Sequence, residues 1–175
     1  MTTATAQPIS SLDAGVLAEQ HTGERQKLIS MLKKAYWMEI ETVMNYITNS
    51  VNPDGVRAQE VIEALEEDIQ EELGHAQDFA RRIRELWGTV PGSMEFKAEQ
   101  TALQPPAEST DIVHVIRGVI EAEKGAIEYY NQVRNFCSGF DPVTEDMVIG
   151  ILRDEEGHLR LFEGFLKEFK AEGLA

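Results

Sequence analysis

Cysteine is almost missing: Cys137 is the only one in 175 residues. A disulfide framework, a zinc ribbon, a rubredoxin-type iron site and an iron–sulfur cluster each need more than one, so a single chain cannot build any of them. Positive charge is also scarce. Lys and Arg together number 16 against 31 Asp and Glu, a formal charge of −15. Such a surface repels phosphate, which makes nucleic acid and anionic membrane poor partners. No apolar run approaches the ~20 residues that span a bilayer. The first basic side chain is Arg25, so the charged start of an export signal is missing. These absences predict a soluble cytoplasmic protein with neither a nucleic-acid nor a membrane partner. The length and the 42% hydrophobic content suffice for one domain with a real core.

Prolines number only six, and five of them punctuate helical patterns. Residues 1–23 lack a sustained period and read as a flexible N-terminal arm, with an apolar patch at Val16 and Leu17. A 3.6-residue period begins near Glu24 with Leu28, Leu32, Ala35, Glu39, Thr42 and Tyr46. It stops at Asn52-Pro53-Asp54-Gly55, a turn signal. A second stripe carries Val61, Leu65, Ile69, Glu72, Ala76, Phe79, Ile83 and Leu86. Residues 89–109 then form a long connection without a period. A third stripe follows, with Ile112, Ile116, Val119, Glu123, Ala126, Tyr130 and Val133. Asp141-Pro142 reads as an N-cap followed by a first-turn proline. The fourth stripe is Val148, Leu152, Glu155, Leu159, Phe162, Leu166 and Phe169. Two tight turns make two antiparallel pairs, and the long connection can run back along a helix of about 42 Å. The fold class predicted for residues 24–175 is all-α, an antiparallel four-helix bundle with one long crossover.

Each apolar stripe contains one glutamate. A buried carboxylate costs several kcal/mol unless it is paired, protonated or metal-bound. One such lapse would be noise in a Glu-rich chain, but one per helix is a pattern. Two of the four are followed by histidine at i+3, as Glu72-Leu73-Gly74-His75 and Glu155-Glu156-Gly157-His158, which puts both groups on one helix face. The spacing repeats: 36 residues from Glu39 to His75, and 35 from Glu123 to His158. Tyr46 and Tyr130 each follow a lone Glu by seven residues, two turns along the same stripe. In the second pair, Glu123 and Glu155 lie at matching depth, about 20 Å from their turn. Folded together, Glu39, Glu72, His75, Glu123, Glu155 and His158 form the donor set of a dinuclear carboxylate site. Oxygen and nitrogen donors without thiolate suit iron, with manganese possible. Glu41, Glu71 and Glu121 read as solvated faces, and His21 and His114 as surface residues. Trp37 and Trp87 read as packing or interface, and Cys137 as an inert helix-end thiol.

Over roughly residues 24–174 the chain resembles the ferritin-like superfamily, and within it the bacterioferritins most closely. The resemblance is strongest from Asp146 to His158, which is similar to the fourth-helix signature of bacterioferritins. It implies that Glu39, Glu72, His75, Glu123, Glu155 and His158 are ferroxidase ligands for two irons, with Glu72 and Glu155 bridging. It also implies that Tyr46 and Tyr130 hydrogen-bond near the site. Bacterioferritins bind haem through a Met directly after the second-helix Glu; here that position is Leu73, so no haem is expected. They also carry a short fifth helix lining the channels of a 24-subunit shell, whereas this sequence runs only to Ala175. A homo-oligomer is therefore expected, a dimer rather than that shell. DNA-protecting small ferritins resemble the chain less, because they place their iron site between subunits. The function implied is oxidation of Fe(II) by dioxygen or peroxide in iron homeostasis. The alternatives are a rubrerythrin-like peroxide reductase or other di-iron oxidase without mineral storage, a non-catalytic iron buffer, and a metal-free adaptor.

Overall fold

The computed structural model describes residues 15–175. Its long helices are α1 (Thr22–Val51), α2 (Gln59–Glu85), α3 (Ile112–Cys137) and α4 (Pro142–Ala171), and no strand occurs among the described residues. Local sequence sets the boundaries. Asp111 caps α3 by accepting the His114 N–H at 3.1 Å. Asp141 caps α4 by accepting the Thr144 N–H at 3.2 Å, with Pro142 in the first turn. Gly55, at φ 106°, lets the chain turn tightly between α1 and α2.

Helices α1 and α2 pack chiefly on each other, as do α3 and α4. The two pairs join through α1 against α3 and α2 against α4. The apolar interior falls into two blocks. One contains Leu28, Leu32, Phe79, Ile83, Val133 and Val148; the other contains Val61, Leu65, Ile116, Val119 and Phe162. The four stripe glutamates fall between the blocks in sequence on every helix. The stripe on α2 differs from expectation in one place: Asp68 is buried and Ile69 only half-buried.

Part of the segment expected to be a flexible arm is folded. Residues 1–14 lie outside the described residues. Gly15–Leu17 and Glu19–His21 form two 3-10 turns, and α1 already begins at Thr22. Val16 and Leu17 pack on the core, Ala18 is buried, and Arg25 ties the turns down through the Val16 and Ala18 carbonyls at 3.0 and 3.1 Å. An apolar patch beside a guanidinium with bare carbonyls in reach folds back onto the bundle.

The 89–109 connection is a strap bound to the bundle along its length. Glu41, expected on a solvated face, is 3% exposed, and its carboxylate accepts the backbone N–H groups of Glu99 and Gln100 at 2.8–2.9 Å. The crossover has no regular ladder of its own, so its N–H groups need acceptors from elsewhere. The Gln100 amide donates to Thr42 and accepts from Asn45. Leu103 is buried, and its carbonyl accepts from Asn49.

Candidate metal centre

The four helices bring Glu39 (α1), Glu72 and His75 (α2), Glu123 (α3), and Glu155 and His158 (α4) together. Each glutamate is 1–2% exposed and each histidine 6%. The donors fall into two adjoining groups. Glu39, Glu72, His75 and Glu155 each offer an atom within 4.8 Å of the others, and so do Glu72, Glu123, Glu155 and His158. Glu72 and Glu155 belong to both groups.

The arrangement has approximate twofold symmetry that follows the sequence repeat. His75 Nδ1 lies 3.4 Å from both Glu72 and Glu155, and 3.9 Å from Glu39. His158 Nδ1 lies 3.4 Å from Glu72, 3.5 Å from Glu155 and 3.8 Å from Glu123. Both imidazoles thus turn Nδ1 inward and Nε2 outward. The tyrosines cross over: Tyr130 donates to Glu39 at 2.5 Å, and Tyr46 donates to Glu123. Each ring therefore orients the lone glutamate of the opposite helix pair, not the one on its own stripe.

Three acids outside the expected set complete the cluster. His75 Nε2 faces Asp154 at 3.4 Å, and His158 Nε2 faces Glu71 at 3.1 Å and Asp68 at 3.5 Å. Glu71, expected to be a plain solvated acid, is exposed but serves as an outer partner of His158. The signal was present in the sequence: Glu71-Glu72-x-Gly74-His75 and Asp154-Glu155-x-Gly157-His158 share an acid just before the buried glutamate. Each such acid serves the other motif's histidine, and such partners fix ring orientation and tautomer. Glu121 is exposed. His114 is exposed with its ring on the Gln104 carbonyl, and His21 packs edge-on against Phe140. Cys137 is buried away from the cluster, and burial pushes its thiol up to about 12.

Electrostatics follow from crowding four carboxylates in one dry layer. Burial pushes Glu39 and Glu123 well above the ordinary value of 4.5, reinforced by repulsion from Glu72 and Glu155. Burial drives Glu72 the same way, but the imidazoles of His158 and His75 and the carboxyl of Glu39 beside it outweigh burial and hold this carboxylate well below 4.5. Burial also disfavours charged imidazoles, yet the carboxylates of Glu155 and Glu72 close beside them win, raising His75 to about 10 and His158 to about 12. Burial raises Asp68 to about 6 against the opposing pull of His158. Without metal, protons neutralise the cluster.

The donors fit cations better than they fit one another. Glu72 Oε1, Glu155 Oε1 and His158 Nδ1 are fully buried without a hydrogen-bond partner. Glu72 Oε1 and His158 Nδ1 are only 3.4 Å apart yet do not bond. Orphaned buried polar atoms are rare and costly, and these lie in the two adjoining donor groups, Glu155 Oε1 beside His75 and Glu72 Oε1 beside His158, where cations would satisfy them. A separate cavity of about 580 Å³, between α1, α3 and the crossover, is lined by Trp37, Met38, Leu103, Gly125 and Tyr129 and includes none of the six donors.

Such a bundle, with one long crossover and two adjoining carboxylate–imidazole groups in its core, has the architecture in which dinuclear carboxylate sites are built. Residues 29–171 match the family model of the ferritin-like domain, and the chain belongs to the ferritin-like family. It is 26% identical over 158 residues to the bacterioferritin of Desulfovibrio desulfuricans, covering 90% of this chain and 84% of that one. A solved structure of that bacterioferritin and its diiron site superposes with a TM-score of 0.72, covering 85% of this chain and 82% of that chain. The chain is also 29% identical over 153 residues to the DNA protection during starvation protein of Pyrococcus furiosus, covering 86% and 82%. A dodecameric thioferritin of Bacteroides fragilis superposes with a TM-score of 0.74 at 25% identity, covering 85% of this chain and 89% of that one.

Proposed function

We propose that this chain is a ferroxidase of iron homeostasis, binding two Fe(II) ions at Glu39, Glu72, His75, Glu123, Glu155 and His158 for oxidation by dioxygen or peroxide. The observation that carries this reading is the set of unpartnered inner donors on Glu72, Glu155 and His158, contributed by α2 and α4 to the two adjoining donor groups. Iron as substrate supplies the electrons, passing from two- to three-valent. Glu72 and Glu155, common to both groups, would be shared between the two positions. Glu39 and Glu123 would each serve one position, steadied by a tyrosine hydroxyl. His75 and His158 would bind through Nδ1 while Nε2–H faces the carboxylates of Asp154 and Glu71. Metal entry displaces the protons that otherwise neutralise the cluster. Manganese fits the same donors. The assembly is a homo-oligomer; the dodecameric relative favours a shell over the dimer expected from sequence.

The test is anaerobic loading with two Fe(II) per chain, then admission of oxygen. Wild type should show a fast ferric absorbance rise. His75→Ala and Glu123→Ala should slow it by more than the ~10–100-fold that loss of an outer partner typically costs. Glu121→Ala, at an exposed position, should stay near normal. Wild-type rates in either ligand variant would remove the assignment. Glu41→Ala is not a neutral control, because Glu41 holds the crossover.

A further inference from the structure

The cavity between α1, α3 and the crossover has no part in the iron chemistry, yet its volume of about 580 Å³ is that of a ligand site. Its α3 wall includes Glu121, Gly125 and Glu128, at i, i+4 and i+7 on one helix face. Glycine inside a helix costs stability. Gly118, on the same helix, is needed where the crossover backbone approaches. Gly125 has no such reason, because a Cβ there would meet nothing within 4 Å. What it provides is an open path along the wall between two carboxylates. The α1 wall is apolar, with Met38 and with Trp37, whose ring is held by Tyr36 at 4.9 Å and Phe96 at 5.1 Å.

The charged side chains lining the cavity are five glutamates and two lysines. Glu41 is spent on the backbone N–H groups of Glu99 and Gln100. Lys34 and Glu99 pair at 3.7 Å, and the Lys34 ammonium also lies 4.9 Å from the Tyr129 ring centroid. Lys124, nearby on α3, is taken by Glu163 at 3.0 Å. What remains is Glu95, Glu121 and Glu128 against Lys97 alone, all exposed and none in an ion pair among the described residues.

Free carboxylates beside an apolar wall suit a ligand whose ammonium groups are joined by methylenes. The charges meet the glutamates, and the CH₂ groups cover Trp37 and Met38. Lys34, with its ammonium between Tyr129 and Glu99, shows the same pairing within the chain. Spacing selects the length. Glu121 and Glu128 are two turns apart, about 10.5 Å along the axis. An extended triamine of the spermidine type has a similar reach, about 11 Å from its bond lengths. We propose that this groove binds a linear aliphatic polyamine, with its terminal ammonium groups on Glu121 and Glu128 and its chain running past Gly125 and Trp37. The groove contains none of the six core donors, so this site stands or falls separately from the ferroxidase reading.

Calorimetric titration of the iron-free full chain with spermidine, at physiological ionic strength, tests it. Wild type should bind saturably. Putrescine, too short to reach both carboxylates, should bind about two- to fivefold more weakly, and spermidine should weaken as much in Glu121→Gln and in Glu128→Gln. Gly125→Leu fills the groove without altering charge and should abolish binding. Glu66→Gln, at an exposed position on α2, should bind as wild type does. In a Trp87→Phe background, spermidine should change the emission of Trp37. The formal charge of −15 attracts any polycation, so undiminished binding in Gly125→Leu would mean diffuse attraction and overturn the site. Complete displacement of spermidine by an equal concentration of Mg(II) would overturn it as well, because the acids would then be a general cation site.

Discussion

Glu72 and Glu155 reach both histidines, and the charge balance of the core turns on them. In the metal-free protein, His75 and His158 hold their protons to about pH 10 and 12, against 6.5 when unfolded. Glu39 and Glu123 are likewise raised above 4.5. Above pH 4.5 the folded state therefore binds more protons than the unfolded chain, so stability falls as pH rises. Glu72 is lowered and acts oppositely, costing stability as pH falls below 4.5. The metal-free protein should melt highest near pH 5 and progressively lower towards pH 9, and divalent metal should reverse that decline. Glu123→Gln keeps an amide oxygen for Tyr46 while removing one crowded acid. It should stabilise the metal-free fold at pH 7 and blunt the response to Mn(II) in denaturant titrations. A Gln variant that weakens the metal-free fold, in a protein indifferent to metal, would point to a structural glutamate. Leu73 offers no sulfur for a haem iron, so protein from haem-supplemented growth should show no Soret band; a band lost in Leu73→Ala would overturn this.

Among the elements, the crossover is where the sequence was hardest to interpret. Its length and prolines said loop, and the geometry of two helix pairs said it must run the length of the bundle. What anchors it was not legible. Glu41, Asn45 and Asn49 recur every four residues on one face of α1, and each holds a crossover group. In sequence these residues are indistinguishable from a wet face. The opposite wall is Gly118, where a Cβ would stand 2.8 Å from the Ala102 carbonyl oxygen and 3.1 Å from the Leu103 Cα. Those are backbone atoms and cannot swing aside. Gly118→Ala should therefore lose about 1–3 kcal/mol in chemical denaturation, as overpacking does. Gly125→Ala, with open space around its Cβ, should instead gain up to about 1 kcal/mol from helix propensity. Equal behaviour of the two would mean that the strap does not bear on α3 at that point.

In the whole molecule, the two helix pairs are copies of one scheme, and the core layer they share is completed only when they meet. Neither pair alone holds both histidines or all four glutamates. Iron content separates the uses of such a layer. Ferroxidase coupled to storage predicts hundreds of irons per assembled particle after repeated Fe(II) additions, whereas a peroxide reductase or a buffer saturates near two per chain. Elemental analysis against protein concentration distinguishes these, and saturation at two would remove mineral storage from the proposed function.

The sequence by itself determined the four helices, the cap at Asp141, and the six acids and imidazoles that the helices bring inside. Those features depend on period and local capping, which are written within a turn or two of the chain. The tertiary structure decided which tyrosine serves which glutamate, which acid backs which histidine, and that Asp68 and Glu41 are inside. Those pairings join residues 58 to 91 positions apart. Their partners are set by the crossing of helices and the course of the crossover, and a one-dimensional pattern cannot tell a buried acid with a distant donor from one facing water.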